Sequence, residues 1–426
     1  MSTLPPASTL KEAYANLDPL RPLSGDWLKA FYVDRPPESR VETLLDELRL
    51  DPREDDKSLF SGQQGCGETT ELHRLIEALK SDHVPVYVSV EEELNLADVH
   101  YTDLLVILGL KVFKEAEKKD IPVDSQKLQN LHFWYEKKIL ERVEKQQCQT
   151  DTSVNVNLAL FTIGSRLAKE SPFRQHVRAQ TEANLSDLLE RLNDLLTDFR
   201  KQFGRRILIV VDGLDKIYDL DQAAGLFLNG ANALISPACR VIYTLPYPLF
   251  YRDDFQQVRQ QFHRNFLLPN VKTRQSDGTP YEAGRKMLKE LILKRMEEKL
   301  ITPEALDILV DASGGLLREL LRLARGAVTS ACHRNNARIT CEDVQCAFQE
   351  IQNSFRRILK VEDYQHLWRV YETKRLDEVP SLAGNRLLRN MSVLEYNGET
   401  WWDLHPAVRA LLEKTPAGSG GGITRG

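Results

Sequence analysis

The sequence predicts an α/β protein built on a parallel sheet, followed by an all-helical segment and a small C-terminal domain that ends in a hairpin and a helix. Three observations carry this expectation. Apolar, β-branched runs with the character of buried parallel strands recur at VPVYVSV (84–90), ILIVV (207–211) and VIYT (241–244). Helical periodicity fills the stretches between them. From about 283 to 353 the pattern is purely helical.

The chain of 426 residues suits two or three domains of ordinary size. With 42% hydrophobic and 28% charged residues it reads as a soluble globular protein, and a net charge of −5 provides no global attraction to nucleic acid or an anionic membrane. The cysteines Cys66, Cys148, Cys239, Cys332, Cys341 and Cys346 lack CxxC pairing or zinc-like spacing, which points to reduced thiols. The N-terminus has no basic and apolar leader pattern, and no apolar run is long enough to span a bilayer, so a cytoplasmic location without membrane contact is expected.

Residues 1–24 read as an N-terminal extension, and FYVDRPPES (31–39) as Pro-rich punctuation leading into a core domain at 25–278. Lys57 to Phe60 predicts a short strand and SGQQGCGETT a glycine-rich loop. ELHRLIEALK then predicts a helix with Leu72, Leu75, Ile76 and Leu79 on one face. A helical insertion is expected at about 101–200, with a turn at Ile121-Pro122, a charged loop in KKDIPVDSQK and a long helix through LQNLHFWYEKKILERVEKQ. His132, Phe133, Trp134 and Tyr135 are expected as packing residues on that helix. TDTSVNVNLALFT (150–162) fits a strand or a short hairpin, and LSDLLERLNDLLTDFRKQF a helix. The acidic run Glu91 to Glu93 reads as solvated.

A helical lid is expected at 279–353 and a further domain at 354–414, with Asn397-Gly398 as a type I′ turn between two strands. Trp401 and Trp402 are adjacent on a strand and must face opposite sides, so one belongs in a core and the other at the surface or a contact. Residues 415–426, rich in glycine, read as a disordered tail.

Two motifs carry the chemistry. GQQGCGET (62–69) fits the phosphate-loop pattern GxxxxGK[ST], except that Glu68 stands where the lysine belongs. In such a loop the backbone amides of Gly62, Gln63, Gln64, Gly65, Cys66, Gly67, Glu68, Thr69 and Thr70, with the positive end of the following helix, form a nest for phosphates. The Thr69 hydroxyl is placed to meet Mg2+. A carboxylate at 68 reverses the local charge, and two like charges about 4 Å apart repel by roughly 4 kcal/mol at an effective dielectric of about 20. The second motif, ILIVVDGLDK (207–216), ends a buried strand in Asp212, a candidate magnesium ligand, with Asp215 three residues on as a candidate for orienting the attacking water.

These residues resemble the AAA+/STAND branch of P-loop ATPases, and in particular bacterial ATPases similar to the origin-recognition, or replication-initiator, group. The resemblance covers about 25–415 and implies a P-loop NTPase core, a lid and a winged-helix-like domain. It implies ATP or ADP with Mg2+ as cofactors, Tyr32 and Arg35 of FYVDRPPE beside the adenine, Thr244 as sensor 1 and Arg318 of SGGLLREL (313–320) as sensor 2. Arg252, Arg259 and Arg264 are candidates for an arginine finger.

Such ATPases act as switches on partner or effector proteins, some in defence against phage, and self-associate. Three accounts of Glu68 remain open: a degenerate site, a lysine deliberately changed, or rescue by another cation. The intact Thr69, Asp212, Asp215 and Arg318 favour a lysine recently lost or replaced. Residues 355–414 carry 10 Lys/Arg against 9 Asp/Glu, which disfavours tight DNA binding there and leaves a DNA-binding initiator as one alternative and a nucleotide-free scaffold as another.

Overall fold

The computed structural model describes residues 4–118, 125–140, 156–396 and 400–414. It falls into two compact units. One comprises Met1–Leu45, Gly62–Leu75 and Leu267–Gly426; the other comprises Asp46–Ser61 and Ile76–Phe266. The elements in chain order are α1 (Leu10–Asn16), α2 (Gly25–Phe31), α3 (Val41–Leu50), β1 (Lys57–Gly62), α4 (Glu68–Leu79), β2 (His83–Ser89), α5 (Val90–Glu93), α6 (Tyr101–Lys118) and α7 (Ser125–Trp134). They continue with α8 (Val156–Lys169), α9 (Ser171–Ala183), α10 (Leu185–Phe203), β3 (Arg206–Asp212), α11 (Leu220–Ile235), β4 (Arg240–Thr244), α12 (Gln256–Gln261) and β5 (Arg264–Leu268). The remainder is α13 (Glu282–Leu293), α14 (Pro303–Ala312), α15 (Leu317–His333), α16 (Cys341–Ile358), α17 (Val361–Thr373), α18 (Ser381–Arg389), β6 (Val393–Tyr396), β7 (Trp401–Leu404) and α19 (Pro406–Leu412).

The second unit holds the sheet, ordered β2-β3-β4-β1-β5. β1 pairs with β4, β4 with β3 and β3 with β2, all parallel, with Phe60 opposite Thr244 and Ser89 opposite Asp212. The α/β architecture expected from the sequence is the one found. Ile207 to Asp212 are buried without interruption, as a strand covered on both faces requires. β2 lies at the sheet edge and alternates buried with half-buried residues, a weaker covering than its apolar run suggests.

The amino ends of the strands are tied by cations. Lys57 Nζ donates to the carbonyls of Pro237 at 2.9 Å and Cys239 at 2.8 Å. Arg240 Nε donates to the Arg53 carbonyl at 3.1 Å, and Arg264 pairs with Asp51 and Asp56. These cations at the amino edge are partnered, as buried charges must be.

The described residues between 101 and 200 are largely helical, and the guanidinium groups of Arg174 and Arg178 on α9 bond Asp98 and Asp103 ahead of and within α6. α7 passes into a π-helix at Tyr135–Leu140. Trp134 and Tyr135 are core residues, whereas Phe133 is exposed, against expectation, because it sits on the opposite side of the turn. The strand or hairpin expected for TDTSVNVNLALFT is corrected: from Val156 onward the chain is helical, α8 continuing through GSRLAK. The Ile121-Pro122 turn and the tail at 415–426 lie outside the described residues, as do Cys148 and the His132 side chain.

In the first unit the N-terminal residues form two short helices, α1 and α2, of 7 residues each, too short for a reading by periodicity. The segment expected as a lid contains the helices α13–α16, with α16 opened by a Thr340–Asp343 capping box. Next come α17, α18, the antiparallel β6–β7 hairpin and α19. Trp401 is buried with Leu316, Leu394 and Tyr396, and Trp402 is half-buried, the division expected of neighbours on a strand. The Asn397-Gly398 turn lies outside the described residues. No helix among the described residues is long and apolar enough to cross a membrane.

Candidate functional site

The first unit contains the glycine loop and its surroundings. Gly65 and Gly67 have φ of +91° and +102°, a left-handed conformation that other residues adopt only under strain. The Cys66 N–H closes a turn on the Gln63 carbonyl at 2.9 Å, and α4 begins directly after the loop, at Glu68. The amides in the first turn of a helix have no partner within the helix itself, and such an end can attract an anion. Glu68 is buried, 9% exposed, in that first turn. A carboxylate is favoured there by the helix dipole and repels any phosphate brought to the same place.

The N-terminus of α15 lies on the loop. The Arg318 N–H donates to the Gly65 carbonyl at 3.0 Å, and a Cβ on Gly65 would stand 2.8 Å from Arg318 Cβ. A Cβ on Gly67 would stand 2.9 Å from Leu317 Cδ1 and 3.0 Å from Arg35 Nη2. Loop and lid therefore meet at distances that only glycine permits.

Arg35 is engaged with the loop. Its Nε donates to Glu71 Oε1 at 2.7 Å, with both side chains 2% exposed. Nη1 donates to the Pro269 carbonyl at 3.1 Å, and Nη2 donates to the Cys66 carbonyl. The Tyr32 hydroxyl donates to Glu71 Oε2 at 3.0 Å; burial, then the Glu71 charge, push its pKa above the ordinary tyrosine range. Thr70 Oγ1 accepts from the Leu23 N–H at 3.1 Å, Thr69 is half-buried and Gln64 is exposed. Gln63 is buried and turned toward β6.

The second unit contains the acidic pair. Asp212 ends β3 and is 4% exposed. Tyr87 donates its hydroxyl to Asp212 Oδ2 at 2.6 Å, whereas Oδ1 has no hydrogen-bond partner among the described residues. Thr244, at the end of β4, accepts from the Leu214 N–H at 3.0 Å and donates to the Val211 carbonyl at 3.3 Å. It thus fixes the backbone on both sides of Asp212. Asp215 is half-buried in the following turn. Glu91 pairs with Lys216 and Glu93 with Lys111, so the acidic run is partly engaged and not simply solvated.

Of the arginine-finger candidates, Arg264 is held by Asp51 and Asp56 and Arg252 by Asp221 and Asp254, while Arg259 lies over the Phe250 ring. The charges of Arg264 and Arg252 are paired within the chain. Among the described residues, no group of three or more His, Cys, Asp or Glu could hold a metal.

Sequence reasoning missed Glu71, Asn270 and Tyr87. Glu71 and Tyr87 carried faint signals: an acid one turn after Glu68, and an aromatic hydroxyl interrupting an otherwise apolar strand. Asn270 carried none.

No family model matches the chain. No curated protein matches it either. Among solved structures it is similar to the Walker-type ATPase PABY2304 of Pyrococcus abyssi, with 13% identity, a TM-score of 0.46, and coverage of 93% of this chain and 99% of that one. It is also similar to the Aeropyrum pernix ORC2 protein in ADPNP-ADP complexes, with 13% identity, a TM-score of 0.43 and coverage of 89% and 93%. A third is Drosophila ORC bound to DNA, with 14% identity, a TM-score of 0.44 and coverage of 97% and 95%. At such identity and agreement the likeness is one of general fold, and functional argument rests on the residues themselves.

Proposed function

We propose that this chain is a nucleotide-binding regulatory protein of the AAA+ kind, a switch that takes ATP or ADP with Mg2+, acts on a partner protein and hydrolyses poorly because of Glu68. The observation that supports it best is the Arg318 N–H on the Gly65 carbonyl, which sets the first residues of the lid helix against the phosphate loop. A ligand that occupies the loop then changes the seat of the lid, which is what a switch needs.

The residues fit the cofactor in all but one position. The left-handed glycines and the helix start suit phosphates, and the buried Asp212 oxygen without a partner suits a cation or its bound water. In this reading the loop amides hold the phosphates, Thr69 serves the magnesium and Arg318 reports the terminal phosphate, while Asp212 is a cation ligand by its own chemistry. Asp215 orients water and Thr244 aligns the Asp212 turn. The bound magnesium would screen charge on the phosphates. Tyr32 and Arg35 shape the loop from the N-terminal side through Glu71. Residues 354–414 serve as the output domain, and self-association completes the assembly.

A nucleotide-free scaffold is the second reading, favoured by the Leu317 and Arg318 side chains packed on the loop. Titration calorimetry with ATP and magnesium on the wild type, Glu68→Lys and Arg318→Ala separates the two. The switch predicts weak binding that the lysine strengthens. Absence of heat in all three would establish the scaffold.

A further inference from the structure

The second residue of the loop does something a phosphate loop does not require of it. Gln63 is 2% exposed, and its amide makes four hydrogen bonds. Nε2 donates to the carbonyls of Val393 at 2.9 Å and Leu388 at 3.4 Å. Oε1 accepts from the Glu395 N–H at 2.9 Å and from Asn270 Nδ2 at 2.5 Å. Asn270 Nδ2 also donates to the Glu395 carbonyl at 3.1 Å. The edge of β6 turned away from β7 is thus satisfied by two side-chain amides in place of a third strand.

The same strand reaches the lid. The Tyr396 hydroxyl donates to the Gly314 carbonyl at 2.6 Å. A Cβ on Gly314 would stand 2.8 Å from both Leu394 and Pro406. Three residues after Gly314 begins α15, whose Arg318 N–H bonds Gly65. Loop, lid turn and hairpin form a closed circuit of buried contacts inside one unit, and a polar network of this kind tolerates no half-made state.

We propose that Gln63 is a positioning residue that couples the phosphate loop to the C-terminal hairpin, so that the loop holds its ligand-ready shape only while the hairpin is docked, and the hairpin senses what the loop binds. The coupling rests on the nucleotide reading for its ligand, and by linkage it acts equally in both directions.

Amide hydrogen exchange on the full chain tests it. In Gln63→Leu, which keeps the bulk and removes the hydrogen bonds, exchange at Glu395 rises at least tenfold. Its affinity for ATP with magnesium falls at least fivefold, and ATP no longer alters exchange at 393–396 as it does in the wild type. Asn270→Ala gives a smaller change of the same sign and serves if Gln63→Leu does not fold. Wild-type affinity and a wild-type ATP response in these variants would overturn the proposal. If the wild type binds no ATP, the nucleotide reading fails and the coupling is judged without ligand. Trp401→Ala, which loosens the hairpin from its own side, then raises exchange at Gly65 and Gly67 at least tenfold, and unchanged exchange there overturns it.

Discussion

The Arg318 N–H donates to the Gly65 carbonyl at 3.0 Å, joining the first turn of α15 to a glycine that has φ of +91°. Because this is a backbone contact, it survives side-chain substitution. Arg318→Ala should leave the thermal midpoint within a few degrees and, if the guanidinium meets the terminal phosphate as proposed, reduce the preference for ATP over ADP. Competition calorimetry checks it; an unchanged preference removes Arg318 from the site.

Glu68→Lys replaces a repulsion with an attraction at the helix start. With a ceiling of roughly 4 kcal/mol for a like-charge pair about 4 Å apart, a gain in ATP affinity of about tenfold or more is expected. Higher salt should shrink the gain.

Arg35→Ala removes the closest cation from Glu71 in a site where both partners are 2% exposed, leaving it, among the described residues, the Tyr32 hydroxyl and Arg74 at 3.9 Å. Breaking a buried pair from one side costs about 3–5 kcal/mol, so the chemical denaturation midpoint should drop sharply. Replacing both residues by apolar ones should cost less, and a double-mutant cycle measures the difference.

Thr244→Val removes the acceptor of the Leu214 N–H in a fully buried place, at a cost of about 1–3 kcal/mol. It also frees the backbone beside Asp212, so any magnesium dependence of binding should weaken. Thr244→Ser should restore both stability and metal dependence.

Burial pushes the Glu395 carboxyl up to about 8. The native state therefore keeps a proton that the unfolded chain releases near the ordinary glutamate value. The associated stability is full below about 4.5 and is lost as pH rises toward about 8. Urea midpoints at pH 5.5 and 8.5 should differ more for the wild type than for Glu395→Gln. Equal differences would show that Glu395 ionises without consequence.

Much of the architecture was legible because it is local. β3 and β4 hold apolar runs of strand length, β1 precedes a glycine-rich loop, and α4 and α10 show clear helical stripes. α1–α3 and β5 were not, being short or mixed in polarity. The 150–162 segment misled because its β-branched residues suit a strand as well as the helix it becomes from Val156. The motifs marked Gly65, Gly67 and Asp212 and the family resemblance marked Thr244, whereas Glu71, Asn270 and Tyr87 act on partners 36, 207 and 125 residues away.

The sequence by itself determined the apolar strands of the sheet interior, the glycine loop with its acid in the lysine position, and the acid-ended strand, because each depends on neighbours within a few residues. Only the tertiary structure decided that Arg35 is spent on Glu71, that Gln63 serves the hairpin and that the lid helix bonds Gly65. Those outcomes depend on which buried polar groups find partners, and a buried group must accept whatever partner the whole fold brings to it.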